Sequence, residues 1–452
     1  MPGEMLTNYT TTKTGGIYLT NYRVALVERS KKVVANIPIL SIDEVHDIGN
    51  HFLQINCKSG RIYRYIRNIY SFFLSFVCET YPRRFIVPSD LSDQHLVEAA
   101  GARMLYRFPA VVWYSKENET VLIRCSQPWQ NFFMYRSQQD EQTLKAMRSR
   151  HSEKSVKEDE KQGLIYGKGN SYVSISVADY YSPAEVMFAG LPNIHAVRNN
   201  FADLRAIQHK RVLKSYLKKV SCLNSLSFIA FVLQWCSISI KKFLETSVLV
   251  HCSDGWDRTA QVTTLAKIIA DPYFRTIEGF EFLIRRDWIE FGHKFADRSG
   301  LFNNKNEQSP IFLQWLDCVH QILHKFPAAF EFTQEYLVKL ALHTYSGLFG
   351  TFLFNSLKQK VQIFKEAGDP DMFSIWAYLR ANTNLLNVMY IPPPDGKGSL
   401  KVDPRGLRLW IEVYGGPSLE RFFTAPYESF CKKRWNVLQN SLQMRDLFVF
   451  SI

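Results

Sequence analysis

Cys252 and Arg258, six positions apart, form the pair of residues with the clearest chemistry in this sequence. The run 248–250 is apolar and β-branched, as in a buried strand, and the apolar residues of 259–270 recur at helical spacing. A loop that enters a helix N-terminus points backbone N–H groups at one spot and favours an anion there, either phosphate or thiolate. The pattern predicts that Cys252 attacks phosphorus to give a phosphocysteine, while Arg258 grips the phosphate oxygens with its planar fork.

The residues around the cysteine decide between a structural and a catalytic role. A lone cysteine after an apolar strand is usually a small core residue. Here His251, Gly255 and Thr259 complete the pattern His-Cys-x-x-Gly-x-x-Arg-Thr, which is very improbable by chance. The loop also contains Asp254 and Asp257, and two carboxylates beside a bound dianion are unfavourable unless one is protonated or contacts a cation. One of them is therefore a candidate general acid for the leaving alkoxide.

The string Cys-Ser-Asp-Gly-Trp-Asp-Arg at 252–258 closely resembles the loop of the myotubularins. These are cysteine-dependent phosphoinositide 3-phosphatases within the tyrosine-phosphatase superfamily. The resemblance implies that Cys252 is the nucleophile, Arg258 the phosphate clamp and Asp257 the general acid. No metal or other cofactor is expected, because loop dipoles and the arginine can stabilise the transition state.

The other loop residues are expected to contact the substrate: Ser253, Asp254, Gly255 and Trp256. We expect Asp254 to order the loop or orient water, and Trp256 to pack against the inositol ring or on the membrane side of the pocket. The string Leu-Pro-Asn-Ile-His at 191–195 resembles a pocket-lining segment of the family. It makes Asn193 and Ile194 candidate headgroup contacts, but Asn193 is equally suited to cap a helix.

Lys294 and Arg298 resemble a basic pair that myotubularins direct at a second phosphate or at the lipid phosphodiester. On a helix, residues four apart share one face, so both cations would point the same way. The family often has arginine at the first position, and lysine lacks its bidentate fork, which predicts a weaker grip on a second phosphate. The alternative is a solvated basic face with no ligand.

Two further regions extend the resemblance. Residues 1–80 alternate as β-strands do, with a hairpin expected at the Lys-Ser-Gly turn 58–60, and the string Tyr-Leu-Thr-Asn-Tyr-Arg at 18–23 resembles the PH-GRAM module that opens myotubularins. This module could bind lipid, dock a protein or have a purely structural role.

A second hairpin within 110–128 resembles the start of the phosphatase domain. Cys125 in this hairpin has no arginine six positions later, so we do not expect Cys125 to be a second nucleophile.

The segment 136–170 departs from the family pattern. Residues 138–162 are crowded with charges and lack apolar periodicity, which predicts a surface loop or a disordered segment. Myotubularins have a buried strand, an Asp-x-Arg-Pro turn and an asparagine before a glycine-rich stretch here, and only Gly-Lys-Gly-Asn at 167–170 resembles the last of these. If the strand is missing, the central sheet loses a member and a substrate-contacting asparagine, which would weaken the case for activity but not for the fold family.

Composition limits the setting of the protein. A formal charge of +13 favours polyanions, and because no stretch resembles a nucleic-acid module, an anionic lipid surface is the better match. The eight cysteines show no CxxC pair or metal-ligand spacing, which favours a reducing compartment. The polar start 1–14 does not resemble a signal peptide, and the longest apolar stretch, 226–240, predicts a packed helix that is too short to span a bilayer.

The sequence thus predicts an all-β PH-GRAM-like module at 1–80, an α/β cysteine-dependent phosphatase domain with a central sheet flanked by helices at 81–430, and a tail at 431–452. The predicted activity is hydrolysis of the 3-phosphate of phosphatidylinositol 3-phosphate, with the 3,5-bisphosphate as a second substrate. A protein tyrosine phosphatase and a catalytically weak docking protein are the alternatives. The expected partners are membrane phosphoinositides and other myotubularins, in homo- or hetero-oligomers. The expected location is cytoplasmic and peripheral on endosomal or other intracellular membranes.

Overall fold

The described part of the chain falls into two compact units. The computed structural model describes residues 6–12, 15–20, 23–28, 33–38, 42–48, 52–57, 62–66, 78–82, 85–88, 91–115, 120–129, 137–149, 164–167, 185–209, 229–230, 232–234, 236, 246–300, 306–361, 374–393 and 398–414. The first unit comprises Met1–Phe73 and Arg84–His95, and the second comprises Leu74–Arg83 and Leu96–Ile452. The predicted tail 431–452 lies outside the described residues.

The first unit contains two antiparallel sheets. One consists of β1 (Leu6–Thr12), β2 (Gly15–Thr20), β3 (Arg23–Glu28) and β4 (Val33–Pro38), paired in sequence order. The other consists of β5 (Ile42–Ile48), β6 (Phe52–Cys57) and β7 (Ile62–Ile66). The strands β6 and β7 pair antiparallel, as the alternating pattern predicts, and residues 58–60 between them lie outside the described residues.

The second unit is built on a five-stranded sheet. Its strands are β8 (Ala110–Ser115), β9 (Thr120–Ser126), β10 (Leu164–Gly167), β11 (Glu185–Phe188) and β12 (Val248–Cys252), in the order β11-β10-β12-β9-β8. The strands β9 to β12 are parallel, and β8 joins β9 as an antiparallel hairpin, as predicted. Strand β12 lies at the centre and all its residues are buried, which explains its continuous apolar run.

The structure corrects two interpretations of the segment 136–170, while its residues 150–162 lie outside the described part of the chain. Residues Gln138–Ser149 form helix α2, not a loop, and the sheet is not missing a strand here, because β10 lies between β12 and β11. The helix follows α1 (Asp93–Gly101) in the chain and is fixed by a buried ion pair, in which Arg103 Nη2 lies 2.5 Å from Asp140 Oδ2. Four residues of strand are too few to give a periodic signal, and a long-range ion pair gives none.

Helices cover the sheet in the described residues. They are α3 (Ile194–His209), α4 (Arg258–Ala270), α5 (Ile277–Leu283), α6 (Phe295–Ser299), α7 (Ile311–Lys325), α8 (Gln334–Tyr345), α9 (Ile375–Arg380) and α10 (Ile411–Tyr414), with a π-helical stretch at Ile284–Glu290. The described residues of 229–236 are helical, as predicted for the apolar stretch 226–240. Helix α4 is buried from Arg258 to Ile269 and runs through the core.

An aromatic cluster packs beside helix α4. Phe280, Trp288, Phe312 and Trp315 are almost fully buried, with ring centroids of neighbouring members 5.0–5.6 Å apart. The edge of this cluster reaches His293, whose ring lies 4.8 Å from that of Trp288. The aromatic cluster therefore supports His293, whose ring contacts the Trp256 carbonyl in the loop after β12. Among the described helices, none is long and apolar enough to cross a membrane.

Candidate active site

The loop 253–257 joins the central strand β12 to the N-terminus of helix α4. Cys252 ends the strand, and the Gly255 N–H donates to its Sγ at 3.2 Å. The Ser253 carbonyl accepts a hydrogen bond from the Gln127 N–H at 3.0 Å, which ties the loop to the chain just after β9. The predicted strand, loop and helix are confirmed, and the backbone has the arrangement that anion binding at a helix N-terminus requires.

Gly255 allows the loop to pass close to the neighbouring strand. Its φ of +79° lies in the left-handed region, and an added Cβ would lie 2.3 Å from the Cys125 carbonyl oxygen in β9. Any other residue at this position would be strained and would push the loop away from the sheet. The sequence pattern included this glycine, and the structure gives the physical reason for it.

Arg258 lies at the first turn of α4 and folds back along the loop. Its Nη2 donates to the Ser253 hydroxyl oxygen at 2.9 Å, and the side chain is largely buried. Arg258 and Ser253 are thus brought together at the end of the strand that carries Cys252. This position fits the clamp that the sequence predicts.

Asp257 is held by two side chains that follow it in the sequence. Arg298 Nη2 lies 2.7 Å from Asp257 Oδ2 and Arg298 Nε lies 3.2 Å from Oδ1, while His293 Nδ1 lies 3.0 Å from Oδ1. Burial alone would raise the pKa of Asp257, but the Arg298 guanidinium and the His293 hydrogen bond outweigh it. The pKa of this carboxyl is therefore held well below its usual range, and the group is ionised in the free protein.

Asp254 has the opposite environment within the same loop. Partial burial and the negative charge of Asp257 raise the pKa of Asp254, and Arg107, Lys294 and Arg298 oppose this shift only in part. The pKa values of the two loop carboxyl groups are thus shifted in opposite directions. Such a divergence is typical of sites in which one carboxyl gives a proton while another stays charged.

Lys294 and Arg298 do not share one helical face in this structure, and their predicted contact with a substrate phosphate stays a prediction. Helix α6 begins only at Phe295, so Lys294 precedes it, with its Nζ 4.7 Å from the centroid of the Trp256 ring. Arg298 turns inward to Asp257 and also bonds Glu307 at 2.7 Å. Trp256 is 6% exposed, so in this state its indole is packed inside the protein under Lys294.

Asn193 and Ile194 lie where the chain enters helix α3. The Asn193 side-chain oxygen accepts a hydrogen bond from the Ala196 N–H at 3.0 Å, which confirms the helix-capping alternative. The Ile194 carbonyl accepts a hydrogen bond from the Ser309 hydroxyl at 2.8 Å. A headgroup contact by either residue stays a prediction.

Three side chains near the loop were missed by the sequence analysis. Arg107 and Arg124 donate to the Gly255 carbonyl at 3.1 and 2.7 Å, and His293 Nδ1 lies 3.1 Å from the Trp256 carbonyl oxygen. One signal was present, because Arg124 interrupts the apolar strand β9 and a buried charge there requires partners. The contacts themselves are long-range and leave no pattern in the sequence.

Two further observations concern the Cys125 thiol and the metal-binding side chains. Burial raises the pKa of the Cys125 thiol to about 12, in keeping with its predicted lack of a nucleophilic role. In the part of the chain that the structure describes, no group of three or more His, Cys, Asp or Glu side chains could hold a metal ion.

Comparison of the chain with known proteins identifies a family and several relatives. The model of the family described as myotubularin-like phosphatase domain matches residues 44–361. The chain is 39% identical over 362 residues to the phosphatidylinositol-3,5-bisphosphate 3-phosphatase MTMR3 of Caenorhabditis elegans, covering 75% of this chain and 35% of the relative. It is 36% identical over 392 residues to human MTMR4 and 34% identical over 353 residues to chicken MTMR2, which carry the same enzyme name.

These matches cover 75% of this chain but only 32% of MTMR4 and 60% of MTMR2. The chain thus spans between about a third and three fifths of the length of the curated relatives. The family match includes β8 to β12 of the sheet, the whole of the loop 252–258, and Lys294 and Arg298. On this match, the chain belongs to the family of myotubularin-like phosphatase domains.

Proposed function

We propose that this chain is a cysteine-dependent phosphoinositide 3-phosphatase. It removes the 3-phosphate of phosphatidylinositol 3-phosphate and also accepts the 3,5-bisphosphate, the substrate in the names of the relatives. The observation that carries the proposal is the loop after β12, where Cys252 Sγ accepts the Gly255 N–H and Arg258 folds back to Ser253. This loop combines a nucleophile, a cation and a helix N-terminus at one anion site.

In the first step, the Cys252 thiolate attacks phosphorus. The S–P bond forms, the bond between phosphorus and the inositol O3 breaks, and the alkoxide takes a proton. Loop N–H groups and the fork of Arg258 bind the equatorial oxygens, where charge develops in the transition state. In the second step, water attacks the phosphocysteine, the S–P bond breaks, and inorganic phosphate leaves with the thiolate restored.

Asp257 is our proposed proton donor, and for this it must gain a proton once substrate is bound. A phosphate dianion beside the carboxyl raises its pKa, and a turn of Arg298 from Asp257 to a substrate phosphate raises it further. Asp254 is the second candidate, because its pKa is already raised in the free protein by burial and by Asp257. In the Asp257 assignment, Asp254 orders the loop or orients the attacking water.

The lipid assignment is preferred to phosphotyrosine for two reasons. Both candidate acids, Asp254 and Asp257, belong to the loop itself, whereas tyrosine phosphatases usually bring the acid from a separate loop. The charges of Lys294 and Arg298 near Trp256 and Asp257 suit a headgroup that carries more than one phosphate.

We further propose that residues 1–80 form a PH-GRAM-like module, that 81–430 form the phosphatase domain and that 431–452 form a tail. The net charge of +13 supports association with anionic membranes, and we infer a cytoplasmic protein that is peripheral on endosomal or other intracellular membranes. Substrate contacts by Asn193, Ile194, Ser253, Gly255 and Trp256, and oligomers with other myotubularins, are part of the same proposal.

Phosphate release from short-chain phosphatidylinositol 3-phosphate tests the function. We expect Cys252→Ser to lower the rate by at least about 10³-fold, because the serine hydroxyl is a far weaker nucleophile than the thiolate. Cys125→Ala is the matched control, a neighbouring buried cysteine whose loss should leave release within a few-fold. If wild type releases no more phosphate than Cys252→Ser, the enzyme proposal fails; if a phosphotyrosine peptide is the far better substrate, the lipid assignment fails.

The proton donor is tested by leaving-group dependence. We expect Asp257→Asn to slow release from the lipid strongly and from an aryl phosphate little, because a phenolate needs no proton to leave. Asp254→Asn provides the matched comparison in the same loop. If Asp254→Asn alone shows this dependence, the assignment passes to Asp254, and equal slowing of both substrates by Asp257→Asn would contradict its role as acid.

A further inference from the structure

Two buried arginines converge on one backbone carbonyl of the loop. Arg107 Nη2 donates to the Gly255 carbonyl at 3.1 Å, and Arg124 Nη2 donates to the same oxygen at 2.7 Å. Both side chains are 0% exposed. A single amide oxygen with two guanidinium donors is an expensive arrangement in a protein interior, because each buried charge loses its hydration. It therefore calls for a role beyond filling space.

Each arginine is fixed by further partners, so the geometry at Gly255 is determined by the fold. Arg107 Nη1 donates to the Thr80 hydroxyl oxygen at 2.6 Å, and its Nη2 also donates to the Phe291 carbonyl at 2.9 Å. Arg124 Nη1 donates to the Asp287 carbonyl at 2.6 Å. Neither guanidinium can follow the loop if it moves, so together they hold the Gly255 carbonyl in place.

The direction of this carbonyl sets the direction of an N–H group. In a trans peptide the C=O and the following N–H point opposite ways, so a Gly255 carbonyl held from outside turns the Trp256 N–H to the other side. The neighbouring peptides repeat the pattern. The Ser253 carbonyl is held by the Gln127 N–H and the Trp256 carbonyl by His293, which turns the N–H groups of Asp254 and Asp257 away from those two partners.

The two arginines also bring charge behind the loop. Burial lowers the pKa of Arg124 to about 10, which still leaves the guanidinium charged at neutral pH. The nearby acidic group, Asp287, is bound through both oxygens by Lys267 at 2.8 and 2.9 Å. Arg124 Nη1 lies 3.8 Å from the same carboxylate, so Arg124 and Lys267 share Asp287 and these three buried groups carry a net positive charge. An anion in the loop is stabilised by such a fixed field.

We propose that Arg107 and Arg124 are positioning residues for anion binding, which turn the Trp256 N–H toward the bound phosphate and hold positive charge behind it. The inference rests on the proposed function, in which Cys252 is the nucleophile of a phosphatase. The two arginines touch neither substrate nor thiolate in this scheme. They act through the Gly255–Trp256 peptide and through their charge.

Protection of Cys252 by inorganic phosphate tests the proposal in the full chain. Alkylation by iodoacetamide at pH 7 is followed with increasing phosphate, and Cys252→Ser supplies the background from the other cysteines. We expect Arg107→Met and Arg124→Met each to weaken protection about tenfold or more, the usual effect of losing a hydrogen bond to a charged group and its charge. The lipid phosphatase assay should show a loss in the same variants.

Arg275→Met is the matched control. Arg275 is also a buried arginine that donates to backbone carbonyls, those of Ile268, Ile269 and Gly398, but at the other end of helix α4. We expect it to lower the melting temperature while phosphate protection stays within about twofold of wild type, because a purely structural arginine does not affect the anion site. Equal loss of protection in Arg275→Met would assign the effect to general stability and overturn the proposal.

Lysine variants decide the matter if the methionine variants do not fold. Arg107→Lys and Arg124→Lys keep the charge, but an ammonium cannot hold the Gly255 carbonyl and the second partner with the same fork, so we expect weaker protection by several-fold. If a folded Met or Lys variant of Arg107 or Arg124 shows the same protection of Cys252 by phosphate as wild type, the proposal is overturned. If phosphate does not protect wild type and wild type releases no more phosphate than Cys252→Ser, the proposed function fails instead.

Discussion

At the C-terminal end of helix α4, the last backbone carbonyls are taken by donors from the same chain. The Lys267 carbonyl accepts the Asp271 N–H at 2.9 Å, and Arg275 donates to the carbonyls of Ile268 and Ile269 at 2.8 and 3.3 Å. The Leu400 N–H adds a second bond to Ile269 at 2.9 Å. This end is closed by the protein and has little capacity left for a ligand.

The N-terminal end, about 20 Å away by helix geometry, is treated differently. The Asp257 side chain precedes α4 but makes no capping hydrogen bond to it, since its oxygens are bound by Arg298 and His293. The first N–H groups of a helix have no intrahelical acceptor, so they remain available to an anion. Buried arginines serve both ends, but Arg275 satisfies the helix whereas Arg107 and Arg124 hold the loop from behind. We therefore expect the C-terminal end of α4 to affect mainly the stability of the protein and the N-terminal end to affect mainly ligand binding.

Substituting one arginine at each end of helix α4 should give the largest difference between the two ends. We expect Arg258→Met to lower kcat/KM for phosphate release by about 10³-fold, because the bidentate clamp on the transition state is lost, while the melting temperature changes little. Arg275→Met should lower the free energy of unfolding by about 2–4 kcal/mol and leave kcat/KM within about twofold. Kinetics and thermal unfolding of both variants check this, and a large activity loss in Arg275→Met would remove the distinction.

Two glycines offer the next test. Gly255→Ala would bring a Cβ to 2.3 Å from the Cys125 carbonyl oxygen at φ +79°, so we expect the loop to shift and activity to fall about 10²-fold. In Gly279→Ala, near Arg275, a Cβ would lie 1.8 Å from the Tyr273 carbonyl oxygen, and we expect lower stability with normal activity of the folded protein. If both variants lose activity per folded molecule equally, the loop has no special sensitivity to backbone position.

The free energy of unfolding should depend on pH through His251, beside the loop at the N-terminal end of helix α4, and not through Arg275 at the C-terminal end. Burial and the charge of Arg103 lower the pKa of His251 to about 4, against about 6.5 in an unfolded chain. The unfolded state therefore binds more protons below pH 6.5, and stability falls as the pH drops from 6.5 to about 4, by up to about 3 kcal/mol from this group. Above pH 6.5 this contribution is constant.

Unfolding curves at pH 4 to 7 for wild type and His251→Gln measure this contribution. The variant should show a flatter dependence, because its amide does not titrate, while Arg275→Met should shift the whole curve without changing its slope. A slope in His251→Gln equal to that of wild type would assign the acid sensitivity to other buried groups. His293, whose pKa is lowered mainly by burial, is the next group to test.

The same contrast explains what the sequence could predict. Cys252, Gly255 and Arg258 lie within seven consecutive positions, and the strand and helix on either side have clear local patterns, so both the loop and its setting were predicted correctly. The hairpin that ends at Ser126 was predicted for the same reason, whereas the central sheet was expected from the family resemblance and its strand β10 was missed. Local periodicity is sufficient where an element and its function occupy one stretch of chain.

Long-range contacts account for the rest. The segment Gln138–Ser149 is too polar to predict a buried helix face, and its Asp140 becomes buried only because Arg103 meets it through the fold. Arg107 and Arg124 reach Gly255 from residues far earlier in the chain. None of these pairings leaves a trace in spacing or composition, so tertiary structure was needed to find them.

Lys294 gives the smallest expected effect and sharpens the comparison at the loop end itself. Lys294 is partly exposed, with its Nζ 4.7 Å from the Trp256 ring centroid and 3.7 Å from Asp297 Oδ2, whereas Arg298 is buried and bound to Asp257. We therefore expect Lys294, rather than Arg298, to contact a second phosphate, since Lys294 can move without breaking a buried ion pair. Lysine offers that phosphate a point charge, and arginine would offer a fork.

We expect Lys294→Arg to lower KM for a short-chain 3,5-bisphosphate about threefold and to leave kcat unchanged, since the added hydrogen bond is made equally in ground and transition states. The 3-phosphate is the control substrate and should respond less, because it lacks the second phosphate on the ring. Steady-state kinetics on both lipids measure the difference. Equal changes for the two substrates would mean that Lys294 contacts the phosphodiester or the membrane, and the second-phosphate role would be lost.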